Sequence, residues 1–343
     1  MQTLLKALTL WEAVAWLKDA LASRELVEHL THYYLRDDRL FASDGRIMAS
    51  IPCDIVVKVT GEGPLLIPGK EFERILKATR PDKDLIVTRL ETGLEISQGR
   101  FKAVVPMVDS SAWPYESYDN SAFVALPTAF LDALGSLRPF VSDNATQPWS
   151  TCVQIEQDGV LATNNIVIAR AICELPITGA YLLPSWGVDF LLSHRDAFVG
   201  GWFTSDAAHF EWQNGGRMRT QLLNGEFPSR AKAMCQPAVS STTSITDEWR
   251  EVYQRIALVA NGSPIEIHAD HLETGGTGLD TLRCEDGAVT PVPSTGFSCW
   301  NERHLSAVME RADWWTPEVW PNPAAWGRAD GSLVGILAGL RES

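Results

Sequence analysis

Two stretches of the chain are built alike and lie 116 positions apart. Leu65-Leu66-Ile67-Pro68-Gly69-Lys70-Glu71-Phe72-Glu73-Arg74-Ile75-Leu76 and Tyr181-Leu182-Leu183-Pro184-Ser185-Trp186-Gly187-Val188-Asp189-Phe190-Leu191-Leu192 each read as an apolar strand, a proline and a helix. The segment from Gly296 to Val308 repeats the strand and the helix roughly one period later, without the proline. Further landmarks keep the register. Asp37 to Asp44 matches Gln157 to Asn164 as a turn, an apolar alternation and a small polar pair, and Trp113-Pro114 closes the first unit as Phe227-Pro228 closes the second. Three units of about 114 residues, each of ordinary domain size, fill the 343-residue chain. Their expected boundaries are 1–118, 119–238 and 239–343.

Within a unit the pattern reads helix, strands, helix, strands. First helices are expected near 3–20, 127–140 and 246–260, and second helices near 69–78, 185–198 and 301–312. In the earliest of these, Leu10, Val14, Leu17 and Leu21 recur at helical spacing. Residues 101–105, 153–156 and 265–268 alternate or are β-branched, as strands do. Two helices against antiparallel strands make each unit an α+β domain. Linkers fit 115–121 and 237–244, both rich in Ser, Thr, Pro or Asn.

Net charge narrows the function. Asp and Glu number 43 against 29 Lys and Arg, a formal charge of −14, which opposes a surface basic all over and leaves room for a local basic lining. Lys70, Arg74 and Lys77 fall at i, i+4 and i+7, on one face of the second helix of the first unit. Six scattered cysteines without a CxxC pair indicate isolated reduced thiols rather than a zinc site or a disulfide scaffold. No apolar run is long enough to span a membrane, and Lys6, Glu12, Lys18 and Asp19 interrupt the apolar N-terminus, so a cytoplasmic chain with no membrane partner is expected.

The three α+β units, the segment Leu222-Leu223-Asn224-Gly225-Glu226-Phe227-Pro228, the triplet Ala162-Thr163-Asn164 and the terminal Gly335-Ile336-Leu337-Ala338-Gly339-Leu340-Arg341 together resemble the bacterial DNA sliding clamp, the beta subunit of the replicative DNA polymerase. The resemblance spans the whole length. It implies a head-to-tail homodimer of six domains closed around double-stranded DNA, helices lining the hole, with no cofactor and no catalysis. The implied partners are duplex DNA bound without sequence preference, the replicative polymerase and the clamp loader. DNA contacts would come from Arg24, Lys70, Arg74, Lys77, Arg138, Arg195, Arg250 and Arg255, with Trp149 touching the template. Ordinary solvated charges, and a tryptophan in a core, are the competing readings.

Carried over position by position, the family's peptide-binding pocket comprises Thr163, Ile168, Pro228, Lys232, Ala233, Met234, Ile336, Ala338, Leu340 and Arg341. Asn164, Asn165, Ile166, Val167 and Gly339 depart from the family pattern there, which leaves open a version encoded by a bacteriophage. The dimer interface maps to Ile75, Leu76, Phe101 and Ala103 on the first unit and to Leu258 and Val259 on the third. Each of these apolar positions reads equally well as intradomain core or junction packing.

Two other functions compete with this one: a clamp-like accessory protein that does not close a ring, and an enzyme. The sequence contains no HExxH, GxGxxG, phosphate-binding loop or GxSxG. Gly275 to Gly278 reads as a hairpin loop, and the interval between His268 and His271 along a strand and turn argues against both rings meeting one metal.

Overall fold

The computed structural model describes residues 3–24, 27–36, 39–53, 64–91, 93–106, 108, 113, 122–143, 146–235, 242–268, 271–274, 283–284, 297–317 and 320–340. One order of elements occurs three times: a strand, a helix, four strands, a helix and three strands. The first round is β1 (Thr3–Lys6), α1 (Ala7–Leu17), β2 (His32–Arg36), β3 (Arg39–Ser43), β4 (Ile47–Pro52), β5 (Leu65–Pro68), α2 (Gly69–Lys77), β6 (Asp84–Arg89), β7 (Gly93–Gln98) and β8 (Phe101–Pro106). The second is β9 (Val124–Ala125), α3 (Thr128–Leu137), β10 (Cys152–Glu156), β11 (Gly159–Thr163), β12 (Val167–Ala171), β13 (Tyr181–Pro184), α4 (Ser185–Ser193), β14 (Phe198–Phe203), β15 (Ala207–Trp212) and β16 (Arg217–Gln221). A short helix α5 (Ser229–Met234) precedes the third: β17 (Thr243–Ser244), α6 (Asp247–Ala260), β18 (Ile265–Ile267), β19 (Leu272–Thr274), β20 (Arg283–Cys284), β21 (Ser298–Trp300), α7 (Glu302–Met309), β22 (Trp314–Trp315), β23 (Ala324–Gly327) and β24 (Leu333–Leu337).

All six expected helices are present, with one correction at the first. Residues 3–6 form β1, paired antiparallel with β6, and the helix starts at Ala7. The expected hairpin loop at 275–278, the linker 115–121 and most of the linker 237–244 lie outside the described residues. So do the positions at which the three units were divided.

The chain forms two compact units, residues 1–127 with 189–222, and residues 128–188 with 223–343. The second round is shared between them because the sheets run across rounds. In the first unit the order β5-β2-β3-β4-β16-β15-β14-β9 is one eight-stranded sheet, joined at the β4–β16 pair, and β1-β6-β7-β8 is a separate four-stranded sheet. The second unit repeats the plan. Its eight-stranded sheet, β13-β10-β11-β12-β24-β23-β22-β17, is joined at β12–β24, and its four-stranded sheet is β20-β19-β18-β21.

Helices cover these sheets through apolar stripes. Leu10, Ala13, Val14 and Leu17 of α1 are buried against β3 and β4, and Phe130, Leu131, Leu134 and Leu137 of α3 are buried against β11 and β12. In the first unit α1 meets α4 through Trp16, whose ring lies 5.4 Å from Phe190, 5.0 Å from His194 and 5.3 Å from Trp212. The unit closures differ in burial. Trp113 is buried and stacked on Tyr34 at 5.2 Å, whereas Phe227 is half-buried with its ring 5.9 Å from Trp149.

The small polar pairs recognised in the repeat build the same turn twice. Asp44 Oδ1 accepts from the backbone N–H of Arg46 and Ile47, and Asn164 Oδ1 accepts from those of Ile166 and Val167. Gly45 at φ 88° and Asn165 at φ 73° occupy the left-handed position between them. Asparagine is among the few side chains that enter this region readily, so the turn survives without glycine.

Candidate nucleic-acid interface and peptide site

Helix α2 is amphipathic because Phe72 and Leu76, one turn apart, point into the first unit while Lys70, Arg74 and Lys77 are exposed opposite them. The three cations fall within an arc of about 60° at 100° per residue. Glu73, on the flank, accepts a hydrogen bond from buried Tyr33 at 3.0 Å, and burial together with that carboxylate pushes the phenol's pKa up. Lys70, Arg74 and Lys77 have no carboxylate partner among the described residues. Gly69 lets the start of α2 come close to the chain leaving α1: a Cβ there would lie 2.6 Å from Leu21 Cδ2 and 2.9 Å from Thr31 O. Exposed Arg24 is in that segment, three residues after Leu21.

Apart from short α5, which carries Arg230 and Lys232, the other helices are not basic. Helices α3 and α4 contain no Lys or Arg, and on α6 Arg250 and Arg255 stand among Asp247, Glu248 and Glu251. Of the helices that recur in each repeat, α2 is the one with three cations on a single exposed face.

The second site lies along β12. Ile168 and Ile336 are cross-strand partners and both half-exposed, so they form an apolar pair on one face of the sheet. Arg170 shares that face by alternation. It is buried, ion-paired to Asp158 at 2.7 Å, and close enough to Cys235 at the end of α5 to act on its thiol. Helix α5 thus packs against β12, with Pro228 half-buried before its first turn and Met234 exposed in its last. The C-terminal segment supplies a border. Ala338 N–H donates to Ile166 O at 2.9 Å, Leu340 N–H to Cys299 O at 2.9 Å, and Trp320 Nε1–H to Leu340 O at 3.0 Å. Asn164 adds a link to α7. Its Oδ1 is committed to the turn, so Nδ2 donates to His304 Nδ1 at 3.2 Å, and burial lowers the pKa of that histidine and favours the neutral ring.

No protein-family profile matches the sequence. Solved structures match from end to end. The beta subunit from DNA polymerase of Streptococcus pyogenes superposes with a TM-score of 0.84 at 16% identity, covering 100% of both chains. A Pseudomonas aeruginosa sliding clamp, the DNA polymerase III subunit beta bound to griselimycin, gives 0.82 at 14% identity with 100% of both chains. The Helicobacter pylori beta clamp bound to a DNA ligase peptide gives 0.79 at 15% identity, covering 99% of this chain and 100% of that one. The chain has the bacterial sliding-clamp fold. Its repeated α+β domains agree with the fold class expected from the sequence.

Several expected site residues of this clamp fold do other work. Leu76 is fully buried beneath α2 and belongs to the core, not to a dimer interface; Ile75, beside it, is half-exposed. Leu76→Ala should therefore cost about 2–5 kcal/mol of stability, the range for a buried leucine, and leave association unchanged in the folded fraction. Chemical denaturation together with light scattering tests this. Arg250 is committed to the end of α7, where its guanidinium donates to Met309 O and Ala312 O, carbonyls that a helix terminus leaves unpaired. Thr163 is buried, and its Oγ1 accepts from Asn165 N–H at 3.1 Å, shaping the turn rather than lining a pocket.

Lys232 holds α5 in place. Its Nζ donates to Glu156 at 2.6 Å and Asp158 at 2.9 Å, which raises the lysine's pKa and lowers that of Asp158. Asp158 therefore contributes stability above the ordinary carboxylate range and loses it as pH falls through its lowered pKa. Ala233 is exposed, Ala338 and Leu340 are half-exposed, and Arg341 lies outside the described residues. Arg138 and Trp149 are half-buried in short turns, and Arg195 and Arg255 are exposed. Phe101 and Ala103 are half-exposed on β8, while Leu258 and Val259 are 83% and 50% exposed on α6. Sequence reasoning missed the buried ion pair of Arg170 with Asp158 and the link of Asn164 to His304. An arginine inside the apolar strand Val-Ile-Ala-Arg-Ala was the available signal for the first.

Proposed function

We propose that the chain is a DNA sliding clamp, a non-enzymatic processivity factor whose two copies close head to tail around duplex DNA. The observation that carries this reading is the pair of four-stranded sheets. Within the chain, the third strand of one half-sheet pairs with the last strand of the next, β4 with β16 and β12 with β24. By the same rule β20 and β8 lack counterparts among the described residues, and each lies at the edge of its four-stranded sheet. An open edge is a template for another chain, and pairing β8 of one copy with β20 of the next would complete two more eight-stranded sheets and close a ring. Six clamp domains would result, divided near 118 and 238 in each chain. Half-exposed Phe101 and Ala103 on β8, Ile75 on α2, and exposed Leu258 and Val259 on α6 are the apolar groups for that joint, as Trp16 is for the internal one.

In this reading α2 and Arg24 carry the DNA-facing charge, and the face along β12 takes a short apolar-anchored peptide from the replicative polymerase or the clamp loader. A clamp of this fold in complex with a ligase peptide supports such a role. Solution mass tests the ring: light scattering at micromolar concentration should give twice 37.8 kDa. A monomer would favour an accessory protein that keeps the fold without closing. Removing residues 340–343 should abolish binding of the partner polymerase's peptide, measured by fluorescence anisotropy, with the dimer intact. Unchanged affinity would move the peptide elsewhere.

A further inference from the structure

Strands β18 and β19 form a hairpin whose two faces differ sharply in chemistry. Ile265, Ile267, Leu272 and Thr274 are buried on one face. Glu266, His268, His271 and Glu273 occupy the other, because the register sets Glu266 opposite Glu273 and the bond from His268 N–H to His271 O, 2.9 Å, sets the histidines opposite each other. The sequence reads the same in both directions here, Glu-x-His-x-x-His-x-Glu. The register sets the imidazoles face to face, ring centres 4.3 Å apart and 4° from parallel.

Two carboxylates opposed across an antiparallel pair repel. His268 Nε2 is buried without a hydrogen-bond partner, with Glu266 Oε2 3.5 Å away, and His271 Nε2 lies 3.5 Å from Glu273 Oε2. One donor atom from each of His268, His271 and Glu273 lies within 4.8 Å of the other two. A tetrahedral zinc ion with ligand bonds of about 2.0–2.1 Å needs donors about 3.3 Å apart with their lone pairs aimed at one point, so the two stacked rings must turn out of parallel to bind it. The geometry points to a divalent transition-metal site of the zinc type on this hairpin, ligated by His268, His271 and Glu273, with Glu266 on the same face as the outer carboxylate. Imidazole and carboxylate together suit zinc and exclude a calcium or magnesium site, which would be built from oxygen. The ion would offset the carboxylate repulsion and tie the two strands beside their turn.

The test uses the full chain without a histidine tag, freed of metal by a chelator, and titrated with zinc chloride against a chromophoric zinc indicator. About one equivalent per chain should bind, His268→Ala/His271→Ala should weaken binding at least about 100-fold, and Glu273→Gln about tenfold. Circular dichroism checks that each variant is folded. Cobalt(II) titration of the unmodified chain gives an answer that needs no variant: visible bands of a nitrogen- and oxygen-ligated ion support the site. Intense near-ultraviolet thiolate-to-cobalt absorption would place the ion on cysteines and overturn it. No binding at one equivalent, or wild-type affinity in a folded double histidine variant, would overturn it as well.

Discussion

Leu258→Asp/Val259→Asp is expected to turn the dimer into a folded monomer. Both side chains project from the last turns of α6, 83% and 50% exposed, whereas Ile256 and Ala260 on the same helix are buried in its own unit. Aspartate at the exposed positions therefore leaves the core untouched. In the proposed joint it would put two uncompensated carboxylates into an apolar contact, and an unpaired buried charge costs about 3–5 kcal/mol. A head-to-tail ring has two such joints. The dissociation constant should rise by about a thousandfold or more, and light scattering at micromolar concentration should give one chain mass with an unchanged circular dichroism spectrum. A variant that stays dimeric would place the joint elsewhere.

Lys70→Ala/Arg74→Ala/Lys77→Ala should change DNA binding as strongly without altering assembly. Each phosphate contact contributes about 0.9 to the slope of log affinity against log salt, so three lost contacts should flatten it by about 2.7. In a chain of net charge −14 whose other helices offer no comparable basic face, little attraction for linear duplex should remain. Charge reversal of the same three residues should abolish it. A slope unchanged within error in the alanine variant would remove α2 from the DNA-facing surface.

The repeat was legible because local signals recur: an apolar strand leads directly into a helix in all three copies, and a small polar pair closes a hairpin in the first two. Both are set by neighbours in sequence. Partners distant in sequence decide what was misread. Residues 3–6 are apolar enough to extend the α1 stripe, and only pairing with β6 makes them a strand. The sheets join one repeat to the next at β4–β16 and β12–β24, so compact units and sequence repeats do not coincide. Leu76 could have been assigned inward, since it follows Phe72 by one helical turn while Ile75 falls to the side. Arg250 could not, because its partners are backbone carbonyls some 60 residues away. The facing of His268 and His271 is likewise a matter of hairpin register, which sets the two residues directly opposite.

Retention on circular against linear DNA tests the central claim most directly. The protein is bound to nicked circular duplex at low salt, with its loading partner where one is needed, and isolated by gel filtration. The salt is then raised to a level that removes it from short linear duplex, and one sample is cut once by a restriction enzyme. A closed ring predicts that protein stays on the intact circle, because topology outlasts the phosphate contacts of α2, and that it leaves after the cut by sliding off the ends. Equal retention on cut and uncut DNA, or a preference for one base sequence, would contradict a sliding ring.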